Sequence, residues 1–400
     1  MATYHVTPTG SDSNAGANAY DDSFLTIAYA VAQTSAGAGY GGGDTIKVYP
    51  SASGLATYYE NSTISFRTGL KTGTTLEAIT SSYSANTNNN ANHYPAIIDF
   101  TSNTSEYSIN MWQFVIIKGF RVTGSSTRTI SAEGSTDGPI QVLDCFFDNC
   151  SGTNVDHDVI RAPGSTGATQ STIARCIFQQ CHRPVRSHGV AAMAIQSCLA
   201  YDCTSSRSTF DAAKGIIEHC TAVRCKVYGG TSQHILSTPT TLADAYIRNS
   251  IVANCWTKGW LIYGSTNQEI RNCIAYTNDY DTDNTFGTGN ADTTALNSFE
   301  TDPKFKKFAD SDFRIKCSSP AKLAGVSGEH AASASHGLVE AATGALNYIH
   351  KITAFASPPN IGAFSLCLGY SHNILGVDAD SIGKFINVDS ADISKAIGVE

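Results

Sequence analysis

Ile195-Gln-Ser-Cys-Leu-Ala-Tyr-Asp-Cys203 and Ile217-Glu-His-Cys-Thr-Ala-Val-Arg-Cys225 are two copies of one unit, set 22 residues apart. The unit recurs on both sides of them. Upstream stand Ile140-Gln-Val-Leu-Asp-Cys-Phe-Phe-Asp-Asn-Cys150 and Ile173-Ala-Arg-Cys-Ile-Phe-Gln-Gln-Cys181. Downstream stand the degenerate copies Ile247-Arg-Asn-Ser-Ile-Val-Ala-Asn-Cys255 and Ile270-Arg-Asn-Cys-Ile-Ala-Tyr-Thr-Asn278. The first position of each pair falls at 145, 176, 198, 220, 250 and 273, so the steps are 31, 22, 22, 30 and 23 residues. A step near 22 with longer insertions marks a solenoid whose wall is constant and whose loops vary. An earlier copy, Ile116-Ile-Lys-Gly-Phe-Arg-Val-Thr-Gly124, reads with glycine at both cysteine positions.

The apolar runs have strand length, are rich in β-branched residues and end in small turn residues, which excludes the helical repeats. The arrangement that fits is an all-β, right-handed, single-stranded parallel β-helix. Successive turns lie about 4.8 Å apart, and like residues stack on like. Each coil is expected to carry a second strand after its cysteine pair.

Composition agrees. Charged residues make up 15% of the 400-residue chain, against a usual figure of about 25%. There are 34 glycines and only 3 methionines. The net charge of −8 and the absence of a basic run argue against a nucleic-acid partner. No apolar stretch reaches the roughly 18 residues that span a bilayer, so no membrane partner is expected. Met1-Ala-Thr-Tyr-His-Val6 runs straight into a strand with no basic segment or apolar core, so no signal peptide is expected.

Of twelve cysteines, ten belong to the ladder, and Cys317 and Cys367 stand apart. Stacked cysteines lie within disulfide range. A buried free-thiol ladder is favoured, because cysteine is a small apolar residue and a chain made in the cytoplasm keeps its thiols reduced. The C-x4-C spacing with no completing histidines gives no zinc site, and no metal is assigned.

Along the chain, residues 1–43 read as a strand and a short helix (23–34, with Ser23 placed to cap it) that covers the open end of the solenoid. Residues 44–300 are the coils, 301–370 a closing module, and 371–400 a tail expected either to attach or oligomerise the chain or to pack on the solenoid's own end. The tail repeats Ile374-Leu-Gly-Val-Asp-Ala-Asp-Ser-Ile-Gly-Lys-Phe385 as Ile386-Asn-Val-Asp-Ser-Ala-Asp-Ile-Ser-Lys-Ala396.

Two resemblances follow. Tyr4-His-Val-Thr-Pro-Thr-Gly-Ser-Asp-Ser-Asn-Ala-Gly16, the helix after it and Gly43-Asp-Thr-Ile-Lys-Val48 resemble the start of pectate-lyase-like parallel β-helix proteins. The series Asp302-Pro-Lys-Phe305, Asp312-Phe-Arg-Ile315, Ser319-Pro-Ala321 and Asn360-Ile-Gly-Ala-Phe364 resembles their closing module. It departs from the pattern at Lys322-Leu-Ala-Gly325 and at Asn360. The tail repeat resembles short C-terminal repeats of tailed-bacteriophage virion proteins.

Ionisable residues are densest on the strands after the cysteine pairs. With Ile160, Val185 and Phe210 inside, Arg161, Arg186 and Asp211 stack outside on adjacent turns. Asp156, His157, Asp158, His182, Arg183, His188 and Lys214 lie in flanking loops. Arg161 and Arg186 suit an acidic sugar, and Asp156, Asp158 and Asp211 suit acid or base work. The competing reading is a surface ladder in which Asp211 relieves the repulsion between stacked arginines. Trp256, Trp260 and Tyr263 are candidates for stacking on sugar rings. Asp279, Asp281 and Asp283 alternate like a calcium loop but lack its glycine and closing glutamate, so a solvated acidic turn is favoured.

The resemblances imply a virion surface protein, a capsid decoration (cement) protein or tail-associated spike, made in the host cytoplasm. Its expected partners are other virion proteins, host surface polysaccharide and further copies of itself, a trimer being one arrangement. Two alternatives stay open: a polysaccharide lyase or glycosidase acting on an acidic polymer, and a non-catalytic carbohydrate-binding adhesin.

Overall fold

The computed structural model describes residues 1–19, 21–51, 55–79, 94, 96–132, 139–150, 152, 157–162, 171–187, 192–212, 214–228, 233–238, 245–258, 261–264, 269–276, 286–288, 300–315, 319–321, 384–385 and 388–389. Among the described residues, three parallel sheets of ten, nine and nine strands wrap one core. Each coil in turn gives the first sheet the strand before its cysteine pair, the second the strand between the cysteines and the third the strand after them, and two coils add a further parallel pair, Thr204–Ser205 with Lys226–Val227. This is a right-handed parallel β-helix. The short strand between the two cysteines, such as Phe146–Asp148, is a separate wall, so a coil has three strands where the sequence suggested two.

Register holds over the whole stack. In the first sheet Ile46, Leu76, Ile117, Val142, Ile173, Ile195, Ile217, Ile247 and Ile270 form one inward column. All are fully buried. Stacking identical β-branched residues fills the interior while every strand satisfies its ladder hydrogen bonds on the coils before and after it.

Two sharp corners per coil define the repeat. The residue before each ladder cysteine has left-handed backbone: Asp144, Arg175, Ser197 and His219 at φ 51–55°, and Asn149, Gln180, Asp202 and Arg224 at φ 51–53°. Each corner turns the following thiol into the core. Cys176, Cys198 and Cys220 Sγ lie 3.4–3.5 Å from the carbonyls of Val142, Ile173 and Ile195 one coil earlier. Cys181, Cys203 and Cys225 do the same on Phe147, Phe178 and Ala200 at 3.4–3.6 Å. All ten ladder cysteines are free and buried. Burial pushes the Cys176 and Cys181 thiols up, and that of Cys273 to about 12.

The corners correct the alignment of the earliest copy. Asp144 follows Leu143, whose partner is Lys118, and Asn149 follows Asp148, whose partner is Thr123. Gly119 (φ 83°) and Gly124 (φ 72°) therefore occupy the left-handed corners rather than the cysteine positions, and Phe120 stands where Cys145 does. At Gly119 the backbone alone accounts for glycine, while at Gly124 a Cβ would also come within 2.2 Å of Thr101 Oγ1.

The N-terminal helix spans Ile27–Gln33 and seats Ile27, Ala30 and Val31 in the core. Thr26, not Ser23, is its cap: its side chain accepts from Tyr29 N–H at 3.3 Å, while Ser23 is buried against Thr7 Oγ1 at 2.6 Å. At the other end of the chain, Phe305, Phe313, Ile315 and Ala321 cover the outward apolar residues of the second sheet, among them Leu199, Tyr201, Val223 and Ile251. Over those coils the sheet is apolar on both sides because both sides are packed, whereas earlier coils carry the Arg121–Asp148 ion pair outward. Residues 322–370 of the expected closing module lie outside the described residues, as does most of 371–400.

The thiol ladder makes a directional prediction. Ser250 already replaces one cysteine, accepting from Cys220 N–H at 3.1 Å and donating to Arg248 O at 2.8 Å. Cys198→Ser should therefore cost no more than about 1 kcal/mol. Cys198→Leu should cost about 1–3 kcal/mol by overpacking. Denaturant unfolding of both variants checks this, and a serine variant weaker than the leucine one contradicts it.

The cap carries a pH dependence. Glu60 is 3% exposed and accepts the Ile27 N–H at 2.7 Å. Burial raises its pKa to about 7, against the opposing backbone hydrogen bonds of Ile27 and Ala28. The folded chain thus holds a proton that the unfolded chain releases between pH 4.5 and 7, and stability falls as pH rises through that window. The loss attributable to Glu60 is at most about 3 kcal/mol. Glu60→Gln keeps the acceptor and should flatten this part of the stability–pH curve, as thermal melts across pH 4–8 would show.

Candidate functional site

The third sheet builds the site by simple alternation. Ile130, Ile160, Val185, Phe210, Leu236 and Ile262 point into the core, each fully buried. The next residue along each strand points outward and pairs in register: Ser131 with Arg161, Arg161 with Arg186, Arg186 with Asp211, Asp211 with Ser237, and Ser237 with Tyr263. One outward column therefore reads hydroxyl, two guanidiniums, carboxyl, hydroxyl and aromatic ring, at about 4.8 Å per step.

Asp158 anchors the cationic end. Its Oδ1 accepts from Arg183 Nη1 at 2.8 Å, and its Oδ2 lies 3.8 Å from both Arg161 Nε and Arg186 Nη1. The side chain of Asp158 is wholly buried, and those of Arg183, Arg161 and Arg186 are 2%, 8% and 14% exposed. Arg183 also donates to Ser206 Oγ at 2.9 Å and holds left-handed backbone at φ 47°. Burial lowers the pKa of Arg183, with the Asp158 carboxylate opposing. This is a buried ion network rather than the exposed arginine ladder that the sequence also allowed.

Asp211 sits one coil beyond Arg186 and keeps part of its surface open. Its Oδ1 is buried and has no hydrogen-bond partner among the described residues. Burial raises its pKa to about 7; the guanidiniums of Arg186 and Arg183 oppose the rise and Asp158 adds to it. His182, at the preceding corner, is lowered by burial and then by Arg183.

The aromatic end lies two coils further. Tyr263 is half-buried and stacks on His234, with ring centroids 4.1 Å apart and planes 13° from parallel. Trp256 is half-buried at the preceding corner and meets the exposed Tyr228 at 5.8 Å.

The structure thus gathers Arg161, Arg186, Asp211 and Asp158 on one wall, with Tyr263 in the same column, while Trp256 packs by Tyr228 and bridges to Lys226. Asp156, His188, Trp260, Asp279, Asp281 and Asp283 lie outside the described residues. Lys214 begins a strand of the first sheet, paired with Ala192, and is not in a loop flanking the wall. Arg183 was missed as a site residue, since it reads as one more loop cation before Pro184. The signal was its place two residues before Val185, matching Asp158 two residues before Ile160.

No protein-family model and no curated protein sequence matches the chain. Solved structures that resemble it include a pectate lyase (TM-score 0.47, 14% identity, covering 91% of this chain and 96% of that one). A rhamnogalacturonan lyase gives a TM-score of 0.38 at 13% identity over 76% of this chain and 90% of that one. The lacto-N-biosidase of Eubacterium ramulus gives 0.33 at 8% identity over 72% and 67%. At these levels nothing about the site transfers, and the fold rests on the strand register itself.

The network predicts a large stability effect from a residue outside the column. Asp158→Asn leaves the guanidiniums of Arg161, Arg183 and Arg186 without their shared carboxylate and should cost about 3–5 kcal/mol. Arg183→Ala leaves Asp158 two guanidiniums at 3.8 Å and should cost less. A larger loss from Arg183→Ala than from Asp158→Asn in urea unfolding would refute the network.

Proposed function

We propose that this chain is a carbohydrate-active β-helix that binds an acidic polysaccharide along the outward column of its third sheet and cleaves it by β-elimination. The observation that carries the reading is Asp211. It is a half-buried residue whose carboxyl has one buried oxygen without a hydrogen-bond partner among the described residues and a pKa raised by burial to about 7, in register with Arg186 and two coils from Arg161. A proton-transfer group is most effective when its pKa lies near the working pH. The adjacent guanidiniums supply fixed positive charge where a uronate carboxylate and its developing anion would lie.

In this reading Arg186, the most exposed of the three guanidiniums, pairs with the uronate carboxylate, and buried Arg161 adds its charge from one coil behind. Ionised Asp211 takes the proton from the carbon beside it. The released C–H electron pair forms a carbon–carbon double bond as the bond to the leaving glycosidic oxygen breaks, and that oxygen takes a proton from water. Asp158 has no exposed side-chain surface and acts by positioning the arginines. A two-carboxylate hydrolysis fits less well for the same reason, since it requires both carboxyls at the sugar.

The narrower reading, display on a virion with the body contacting host glycan, is favoured by the tail repeat. Its described part is a two-stranded antiparallel pair, Lys384–Phe385 with Val388–Asp389, unlike the parallel coils. The glycan reading does not depend on where the protein is displayed.

Incubation with uronate-containing polymers should produce the ultraviolet absorbance of an unsaturated product. Its rate should rise with pH through about 7, as Asp211 ionises. Asp211→Asn should reduce turnover at least about 100-fold. Arg186→Ala should do so mainly by weakening binding. Full activity of the Asp211 variant, or no product from any acidic polymer, would reject the elimination.

A further inference from the structure

The far end of the column has a chemistry of its own. Tyr263 is two coils beyond Asp211, roughly 10 Å along the axis. His234, 5% exposed, covers one face of its ring at 4.1 Å. Among the described residues, the in-register partner of Tyr263 on the next coil is Gly287. Ser237, between Asp211 and Tyr263, carries only a hydroxyl. The column therefore changes from two cations to a carboxyl, a small polar residue and a supported ring.

We propose that Tyr263, backed by His234, is a subsite for the face of an uncharged sugar, and that the polymer is an acidic heteropolysaccharide with neutral rings among its uronates. This rests on the glycan reading above and narrows it. A pyranose stacks its C–H face on an aromatic ring by burying apolar surface, whereas a charged ring loses hydration there without gaining a counter-charge. The uronate is held at Arg186, and the neutral ring lies on the Tyr263 side of the bond to be broken. A homopolymer of uronates places a carboxylate at each step and gains nothing from that end of the wall.

The test measures binding apart from turnover, using Asp211→Asn so that no polymer is consumed. The probes are a defined oligosaccharide of alternating uronate and neutral hexose and an all-uronate oligosaccharide of equal length. Calorimetry should show tighter binding of the mixed oligomer. Tyr263→Leu should weaken that binding about 3- to 10-fold, with the all-uronate affinity unchanged, and Tyr263→Phe should bind like the parent. Saturation-transfer NMR on the unsubstituted chain, which does not depend on the folding of any variant, should show the neutral rings receiving magnetisation from aromatic protons. Equal affinity for the two oligomers, equal losses on both in Tyr263→Leu, or transfer to the uronate rings would overturn the subsite. Mixed-oligomer binding that depends on Tyr263, without an unsaturated product from the unsubstituted chain, would reject the elimination and leave the subsite standing.

Discussion

Each coil has to turn two corners five residues apart and bring its next strand back over the one before. Left-handed backbone at the residue before each ladder cysteine does this. The conformation costs a non-glycine residue roughly a kilocalorie, and the chain accepts that cost twice per coil over several coils. What offsets it is register. The corner fixes where the following thiol enters the core, the thiol lies against a carbonyl of the preceding coil, and all three strands then fall on their partners. Asp, Asn, Ser and His supply many of the corner residues, the short polar types that tolerate this region best. Where the corner residue is Arg175 or Arg224, its guanidinium forms a two-pronged pair with the corner aspartate one coil earlier, Asp144 or Asp202. These pairs tie corner to corner on the outside as the thiols do on the inside.

This constraint also makes the site. Once inward residues are locked in columns, outward residues are locked too, and a strand cannot slip by one without exposing its core residue. Arg161, Arg186 and Asp211 come from positions separated by loops, yet they are set by the same register that stacks Ile160, Val185 and Phe210. Asp158 is buried at the foot of this group, where its carboxylate balances guanidiniums that would otherwise repel one another. Such a network costs desolvation and contributes little net stability. What it does supply is a set of charges held at fixed positions on the wall.

The repeat was legible because cysteine and isoleucine recur at steps that no helical unit shares, and the sides of Arg161, Arg186 and Asp211 followed from alternation alone. Three features were not legible, each for a physical reason. The strand between the cysteines is three residues long, too short for a period to appear. Gly119 and Gly124 were matched to cysteines because both are small, whereas backbone conformation is what they share with Asp144 and Asn149. Burial of the arginines could not be read because it depends on what lies over the outward face, and sequence periodicity describes only the inward one.

The state of Asp211 is the least visible of all from sequence, and it follows from opposing effects. Two guanidiniums favour its ionised form, yet burial outweighs them and leaves the carboxyl near pH 7. Nearer to the arginines it would be a spent counter-ion, fully ionised and a poor proton acceptor; farther out in solvent it would titrate as an ordinary aspartate. Placement one coil from Arg186, on a partly covered face, puts it between those limits. A solenoid reaches such intermediate placements easily. It changes the residue at one step of a column without altering the steps on either side, so acid, cation and ring can each be set at a fixed interval along an extended ligand.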